Sequence, residues 1–582
     1  MSSNQHHCRY QRPSPLRSSA LACALLACGW GSAWAAPVGT ERVEGLRDNS
    51  PQWHALTNAR IVVAPGHVIE RGTLVMRDGV IVAVGTNVAV PVGAREWKLG
   101  GRSIYAGFID MASQVGVPAN LRATQPRPPQ SDDDDDDDSP SVAAPQPQKA
   151  KPLTGRALAN RNKMVRSEQE VAQQLELRHD EVKVARELGF TTVLATPGQG
   201  VFRGQSALIN LGATDKSVDL KHLVLQARSA QHLAFEIDHA RNASYPSSQM
   251  GAIALQRQTF ADARWSSLPD NRAPIDASLS ALKDAVAGQQ TVIAVADDEQ
   301  DFARIAKIRD EFKLKMLIQG NGYEYRRAAQ LKALNVPVIV PLNYPAPPEL
   351  ENPDSALDVP LDQLQHWEQA PSNAAALNRA GISLMFTTLG IKSAKQDFWP
   401  HLRQAVARGL PPDAALAALT TTPAHFLNES QRLGRLAVGH AANVVVANGD
   451  LFTQDNAKID LEFVQGQAFV NDSFEQPDWR GTWQVQQPNA STEWKIEGGL
   501  SSPSLKQADA TCDLSIGGKQ LLLRLPCGKA PEASVPTSQI IAQLSGDELR
   551  GSSYDAAGRS TPWSAKRIAA FVEPSKTSKP EV

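Results

Sequence analysis

Strand-like and helix-like segments alternate between about residue 165 and residue 427, and this alternation constrains the fold more than any other feature of the sequence. Short apolar runs of strand length occupy residues 191–195, 206–210, 291–295, 315–319, 336–340 and 382–386. Segments with helical periodicity separate them, including residues 168–188, 300–312, 325–334 and 372–380 and two helices within 397–427. Repeated β/α units favour a parallel sheet covered by helices, most economically a TIM-like (β/α)8 barrel over residues 104–433.

Strand-rich segments flank the predicted barrel on both sides. Residues 55–103 contain two β-rich runs separated by Asp78-Gly79, a strong hairpin signal. Residues 434–472 return to strand character. Residues 473–570 carry tryptophans 479, 483, 494 and 563 among short alternating strands, which predicts a separate antiparallel β-domain. These tryptophans either stack on sugars or, the favoured interpretation, fill a core.

Several segments are predicted to lie outside the folded units. Residues 37–54 read as a linker and residues 571–582 as a disordered tail. The barrel is interrupted by a Pro- and Gln-rich insertion at 117–155, where residues 132–138 are seven consecutive aspartates. Such dense like charge favours a solvated, disordered loop over a calcium site, because a metal site needs fixed geometry.

The first 36 residues have the pattern of a signal peptide. Arginines precede a short apolar run, and Ala33-Trp34-Ala35 offers small residues for cleavage. We expect export to the periplasm or outside the cell, with lipidation at Cys28 as an alternative that would tether the chain to a membrane. No later segment is long and apolar enough to span a bilayer.

Beyond the leader, the chain keeps two cysteines, Cys512 and Cys527. An even pair in an exported chain predicts a disulfide, and two unpaired buried thiols are the alternative. The formal net charge of −2 and the lack of a basic stripe argue against a nucleic-acid partner. A small-molecule ligand is the expected partner, and the oligomeric state is left open.

Three segments in fixed order resemble the amidohydrolase superfamily, especially its imidazolonepropionase-like branch. The first runs from Asn58-Ala59 to Val84-Gly85, the second is residues 106–110 (Ala-Gly-Phe-Ile-Asp), and the third is residues 414–446. The resemblance implies a (β/α)8 barrel flanked by a composite β-sandwich, which residues 55–103 and 434–472 would form together. It also implies hydrolysis of non-peptide C–N bonds by one or two divalent metals, such as Zn²⁺, that activate water at the C-terminal strand ends.

The chain departs from that family pattern where the metal ligands belong. Ala112 and Gln114 stand at the two histidines of the first strand, the fifth and sixth strands end without histidine, and Leu389 replaces the aspartate of the eighth. Methyl, isobutyl and amide groups do not replace imidazole and carboxylate as tight Zn²⁺ ligands, so no cofactor is assigned. The barrel-mouth candidates are Asp110, Ala112, Gln114, Arg203, Asp297, Asn321, Glu324, Asn343, Thr388 and Leu389.

Two functions remain open from the sequence. The first is a hydrolase of C–N bonds with a degenerate metal site, weakly active or inactive. The second is a non-catalytic protein that binds a ligand in the barrel pocket or through the C-terminal β-domain. Oxygen-bearing side chains near the strand ends either hold a hard cation loosely or, the favoured interpretation, cap loops.

Overall fold

A computed structural model describes residues 53–122, 159–212, 220–237, 245–268, 275–348, 359–471 and 478–571, the last with short gaps between 488 and 556. The predicted leader, the linker before residue 53, the run of aspartates, Cys527 and residues 572–582 lie outside the described residues. Cys512 belongs to a described strand, but the predicted disulfide lies outside what the structure describes.

The first strands belong to a β-unit that precedes the barrel in the chain. They are β1 (Trp53–Ala64), β2 (His67–Arg77), β3 (Val80–Gly85), β4 (Arg95–Lys98) and β5 (Ser103–Ala106). Asp78 and Gly79 connect β2 to β3, and both have positive φ (48° and 81°), as a tight hairpin turn requires. The hairpin that the sequence predicts is therefore present.

Eight strands then form the barrel sheet. They are β6 (Phe108–Ser113), β7 (Phe190–Ala195), β8 (Phe202–Asn210), β9 (Val224–Leu233), β10 (Thr291–Val295), β11 (Met316–Gln319), β12 (Val338–Pro341) and β13 (Leu384–Thr387). The strands neighbour one another in chain order, and hydrogen bonds from Thr387 and Thr388 to β6 join the two ends of the sheet. The predicted TIM-like barrel is confirmed, with one difference: β8 runs antiparallel to both neighbours.

Helices cover the barrel. They are His179–Glu187, Gln249–Ser266, Ala277–Ala281, Lys283–Val286, Asp301–Phe312, Ala328–Leu334, Leu361–Gln369, Asn373–Arg379, Ala394–Ala407, Pro412–Leu419 and Thr421–Phe426. None of the helices in the described part of the chain is both long enough and apolar enough to cross a membrane.

Polar side chains and left-handed residues mark the ends of several helices. The Asp276 carboxylate caps the helix Ala277–Ala281 by accepting hydrogen bonds from two backbone amides, at 2.8 and 3.1 Å. The helices Asp301–Phe312 and Ala328–Leu334 each end on a residue with left-handed backbone, Lys313 and Asn335.

Two segments predicted to lie outside the folded units are too long. The predicted linker 37–54 overlaps β1, which begins at Trp53, and the predicted insertion 117–155 begins within the core, where Val117 and Leu121 are buried.

Two predicted secondary-structure elements are also wrong in extent. The segment 104–110 is not one strand, because Gly107 separates β5, in the first sheet, from β6, in the barrel. A side chain at Gly107 would lie 2.2 Å from the Thr191 hydroxyl, so the change of sheet needs glycine there. The helix expected over 168–188 is only His179–Glu187, because Glu170 instead bridges to Gln205 beside the barrel.

After the barrel the chain returns to the first sheet. Strands β14 (Val444–Ala447), β15 (Ile459–Val464) and β16 (Gln467–Val470) join β1–β5, with β14 paired antiparallel to β5. The composite β-unit predicted from the two flanks of the barrel is therefore present. Its core includes Leu56, Trp97 and Phe463, which are almost fully buried.

The last nine strands form an antiparallel sheet, as predicted for the C-terminal region. They are β17 (Gly481–Gln487), β18 (Ala490–Gly499), β19 (Ser502–Gln507), β20 (Ala510–Asp513), β21 (Ser515–Gly517), β22 (Gln520–Leu525), β23 (Ser538–Ser545), β24 (Glu548–Tyr554) and β25 (Ser560–Ala570). The four tryptophans of this region are buried within it, and the rings of Trp494 and Trp563 lie 5.3 Å apart. They pack the core and leave none of these four rings free to stack on a sugar.

Candidate functional site at the barrel mouth

The lower part of the barrel interior is filled with apolar side chains. Ile109, Leu208, Ile293, Leu317 and Met385 point inward from five strands and pack together with the helix Thr421–Phe426 and the residues after it. The polar groups of the interior therefore lie toward the C-terminal ends of the parallel strands. Because β8 is antiparallel, it brings its first residues to this mouth, and Arg203 is one of them.

Asp110 joins the first and last strands of the barrel. One carboxylate oxygen accepts hydrogen bonds from the backbone amides of Ala112 and Thr388, both at 3.2 Å, and the other accepts the Thr388 hydroxyl at 2.5 Å. Asp110 is 1% exposed. Burial raises its pKa to about 6, although the hydrogen bonds from Thr388 and from the Ala112 amide oppose that shift. A carboxyl group with this pKa exchanges its proton close to neutral pH.

The Thr387–Leu389 segment surrounds the Asp110 carboxylate. The Thr387 hydroxyl donates to the carbonyl of Ala112 and accepts from the Leu389 amide at 3.0 Å, which fixes the end of β13 against β6. The Thr388 side chain is only partly buried. Its hydroxyl therefore lies between the buried carboxylate and the open end of the barrel.

Ala112 and Gln114 present no imidazole and no carboxylate. The Gln114 side-chain amide donates to the carbonyl of Thr196 at 3.2 Å, and its oxygen is buried without a partner among the described residues. Nowhere in the described part of the chain do three or more His, Cys, Asp or Glu side chains stand together so that they could hold a metal ion.

A second group of charges lies on the β8–β10 side of the mouth. Arg203 contacts Glu236 at 3.4 Å, and the backbone amide of Gly200 donates to the same carboxylate at 2.9 Å. Burial raises the pKa of Asp297, and the positive charge of Arg203 opposes this rise. Burial in turn lowers the pKa of the Arg203 guanidinium, while Glu236 and Asp297 oppose that shift. The three groups therefore interact, with Arg203 as the cation.

His232 lies beside this charge group inside the barrel. Its strand partner on β10 is Ile293, an inward-facing residue, and its partner on β8 is Gly204. Neither ring nitrogen has a hydrogen-bond partner among the described residues, and the residue is 1% exposed. Burial, with a smaller contribution from Arg203, lowers its pKa to about 3, so the imidazole is neutral at pH 7.

Glu324 holds a loop. Its carboxylate accepts hydrogen bonds from the backbone amides of Asn321 (2.6 Å) and Gly322 (3.0 Å) and from the side-chain amide of Asn373. Burial raises its pKa, against these hydrogen bonds. The loop carries the Asn321 side chain to the carbonyl of Asp297 at 2.9 Å, and the Asn343 amide lies 3.4 Å from the carbonyl of Asn321. Asn321 and Asn343 therefore link the ends of β10, β11 and β12.

The structure thus brings the sequence candidates together in three groups. Asp110, Ala112, Thr388 and Leu389 meet at the β6–β13 junction, Arg203 and Asp297 meet opposite, and Asn321, Asn343 and Glu324 link neighbouring loops. Gln114 is turned toward β7. Sequence reasoning did not select Thr387, His232 or Glu236. The position of Thr387 next to the candidate Thr388 was a signal that could have found it. His232 and Glu236 fall in residues 212–290, where the β/α pattern is weakest.

Comparison with known proteins agrees with this architecture. Residues 354–475 match the family model described as the amidohydrolase family. No curated protein sequence matches the chain. The crystal structure of an amidohydrolase from Thermotoga maritima is similar in fold, with 17% identity, a TM-score of 0.54, and coverage of 72% of this chain and 100% of that one.

Two further structures are more distant. A β-aspartyl dipeptidase from Fervidobacterium islandicum has 11% identity and a TM-score of 0.37, and the match covers 72% of this chain and 97% of the dipeptidase chain. An N-acetylglucosamine-6-phosphate deacetylase from Pasteurella multocida has 12% identity and a TM-score of 0.34, and covers 72% of this chain and 100% of its own.

Proposed function

We propose that the chain, whose residues 354–475 match the amidohydrolase family model, is a member of the amidohydrolase superfamily and an exported hydrolase of non-peptide C–N bonds whose metal site is degenerate. The observation that carries the proposal is the hydrogen bond that the Thr388 hydroxyl, at the barrel mouth, donates to the buried carboxylate of Asp110. The pKa of this carboxylate is about 6. Acid–base chemistry at neutral pH needs a group of this kind.

The side chains at the strand ends do not fit the divalent metal of the family. The methyl group of Ala112 and the isobutyl group of Leu389 cannot coordinate a cation, and the Gln114 amide is bound to the carbonyl of Thr196. His232 supplies one imidazole that has no partner among the residues the structure describes, but a catalytic zinc site needs about three protein ligands. The proposed reaction therefore uses only side chains of the protein.

In that reaction, Thr388 passes a proton between the substrate and Asp110. A water molecule attacks the carbonyl carbon, its proton moves to the Thr388 oxygen, and the Thr388 proton moves to Asp110 across the 2.5 Å contact. The reverse transfer protonates the leaving nitrogen as the C–N bond breaks. Arg203 lies on the opposite side of the mouth, where its positive charge can stabilise an anionic oxygen, and such stabilisation is strong away from water.

Hydrolysis of cyclic amides and N-acyl amino acids by the purified full chain tests the proposal, with metal content measured in the same sample. We expect slow turnover that a chelator does not abolish. Asp110→Asn and Thr388→Val should each reduce kcat by a factor on the order of 100 or more, the usual contribution of a positioned acid or base. Asp298→Asn is the matched control, because this carboxylate is half-exposed and pairs with Arg304.

Two outcomes would contradict the proposal. Turnover that disappears with a chelator and returns with Zn²⁺ would place a metal at the reaction centre. No turnover on any substrate, with the fold intact by circular dichroism, would favour the non-catalytic binding protein that the sequence leaves open.

The export part of the proposal rests on the leader sequence. Expression of the full chain in a Gram-negative host should give a periplasmic protein whose N-terminus, by mass spectrometry, begins just after Ala35. A mass that includes a diacylglycerol on Cys28 would instead indicate a membrane-tethered lipoprotein, and an uncleaved cytoplasmic chain would refute export.

A further inference from the structure

A cavity of about 590 Å³ opens between the loops that follow β12 and β13. Asn343 and Gly390 line its inner end, so it adjoins the barrel mouth, and Trp367 and Arg408 line its outer part. We refer to it as the side cavity. Its volume lies within the range of small-molecule sites in proteins.

Tyr344 lines the side cavity with its ring, and its hydroxyl group has no hydrogen-bond partner in the described part of the chain. The hydroxyl is buried. Burial raises the pKa of Tyr344, so the group stays protonated and can donate. The ring is held in place because it stacks on His401 at 4.7 Å, and the His401 ring lies 2.7 Å from the carbonyl of Leu342. Tyr344 therefore forms a fixed part of the cavity wall.

One wall of the side cavity is apolar and aromatic. Trp367 is 39% exposed, although large apolar side chains on a folded protein are usually covered, and Pro345 and Pro371 line the same cavity. The partly exposed indole of Trp367 gives this cavity an apolar aromatic surface. Such a surface favours an aromatic ring, because ring stacking adds to the gain from burial.

The charges of the side cavity comprise one ion pair and two further groups. Glu368 and Arg408 neutralise each other at 2.7 Å. Lys392 is exposed and Asp397 half-buried, and neither forms an ion pair with another described residue. A positive and a negative group that line one small cavity complement a ligand carrying both charges.

We propose that the side cavity binds the aromatic α-amino acid part of a ligand. The aromatic ring stacks on Trp367, the carboxylate meets Lys392, and the ammonium group meets Asp397. The inference rests on the proposed function in one respect: hydrolysis of an acylated aromatic amino acid at the mouth would release this amine beside the side cavity. Binding of the free amino acid itself requires no turnover.

Isothermal titration calorimetry of the full chain with L-phenylalanine tests the proposal. Three related probes each lack one feature: 3-phenylpropanoate lacks the amine, phenethylamine lacks the carboxylate, and L-alanine lacks the ring. We expect L-phenylalanine to bind and each of the three to bind about tenfold or more weakly, because each loses one contact.

Variants assign the contacts to residues. Lys392→Ala should weaken the binding of L-phenylalanine and 3-phenylpropanoate about tenfold but leave that of phenethylamine unchanged. Asp397→Asn should weaken the binding of L-phenylalanine and phenethylamine about tenfold but leave that of 3-phenylpropanoate unchanged. Trp367→Ala should weaken all ring-bearing probes. Gln396→Ala is the matched control, because this exposed residue lies on the same helix as Asp397 but does not line the side cavity.

Three results would overturn the proposal: no heat with L-phenylalanine while the chain is folded, binding as tight for L-alanine, or binding unaffected by both Lys392→Ala and Trp367→Ala. Retained binding without hydrolysis of any substrate would refute the proposed function and leave this site standing. The two proposals therefore fail separately.

Discussion

The neutral imidazole of His232 makes the stability of the barrel sensitive to acid. In the unfolded chain a histidine has its ordinary pKa of 6.5, whereas burial lowers the pKa of His232 in the folded chain to about 3. Between these pH values the unfolded chain binds the proton and the folded chain does not. The contribution of the neutral His232 to the free energy of unfolding is therefore complete above pH 6.5, and it is lost as the pH falls toward 3.

The size of the effect follows from the same shift. Each pH unit below the ordinary pKa lowers the free energy of unfolding by about 1.4 kcal/mol, so acidification from about pH 7 to about pH 5 costs about 2 kcal/mol at this residue. His232→Gln, whose amide is neutral at every pH, should lack this loss. Its free energy of unfolding should therefore fall by about 2 kcal/mol less than that of the natural chain over the same interval.

Urea unfolding followed by circular dichroism at 222 nm measures this difference. The described helices all lie between residues 179 and 426, so the helical signal reports on the barrel and not on the C-terminal β-domain. Other buried groups titrate in both proteins, including Asp110, and the comparison cancels their contributions. His67→Gln, at an exposed position of β2, is the matched control. Equal losses in the natural chain and His232→Gln, within about 0.5 kcal/mol, would refute the reasoning.

Two further predictions concern stability. Gly107→Ala should lower the free energy of unfolding of the barrel by about 1–3 kcal/mol, because the new methyl group would lie 2.2 Å from the Thr191 hydroxyl; Gly85→Ala, whose nearest neighbour is at 3.5 Å, should change it far less, and equal effects in urea unfolding would contradict the clash. Trp483→Ala should lower the free energy of unfolding of the C-terminal β-domain by about 3–5 kcal/mol, because it empties a fully buried site and removes the 2.9 Å hydrogen bond to the carbonyl of Trp479. A tryptophan fluorescence transition at lower urea concentration, with the helical transition unmoved, would support this prediction. A shift of the helical transition alone would count against it.

The sequence alone determined the order and kind of most elements. The runs at 291–295, 315–319 and 336–340 are apolar throughout most of their length, which suits strands buried on both faces, and each became a strand of the barrel within one or two residues. The Asp78-Gly79 turn was likewise encoded locally, because few residues adopt positive φ at low cost. The family motifs then indicated how these elements close into a barrel.

Other features were decided only by tertiary contacts. The reversed direction of β8 cannot be read from its composition, because a buried strand has the same apolar sequence in either direction. The helix expected from residue 168 begins only at His179, since Glu170 pairs beside β8.

The candidate site shows the same division. The sequence identified the barrel mouth as the place of Asp110, Arg203 and Thr388, and it has no histidine at positions 112 and 114. It predicted Arg203 in a loop, whereas Arg203 lies in β8. The contact between Asp110 and Thr388 joins residues 278 positions apart, and it exists only because the barrel closes. The raised pKa of Asp110 and the lowered pKa of His232 also depend on burial, which is a property of the packed interior and not of the local sequence.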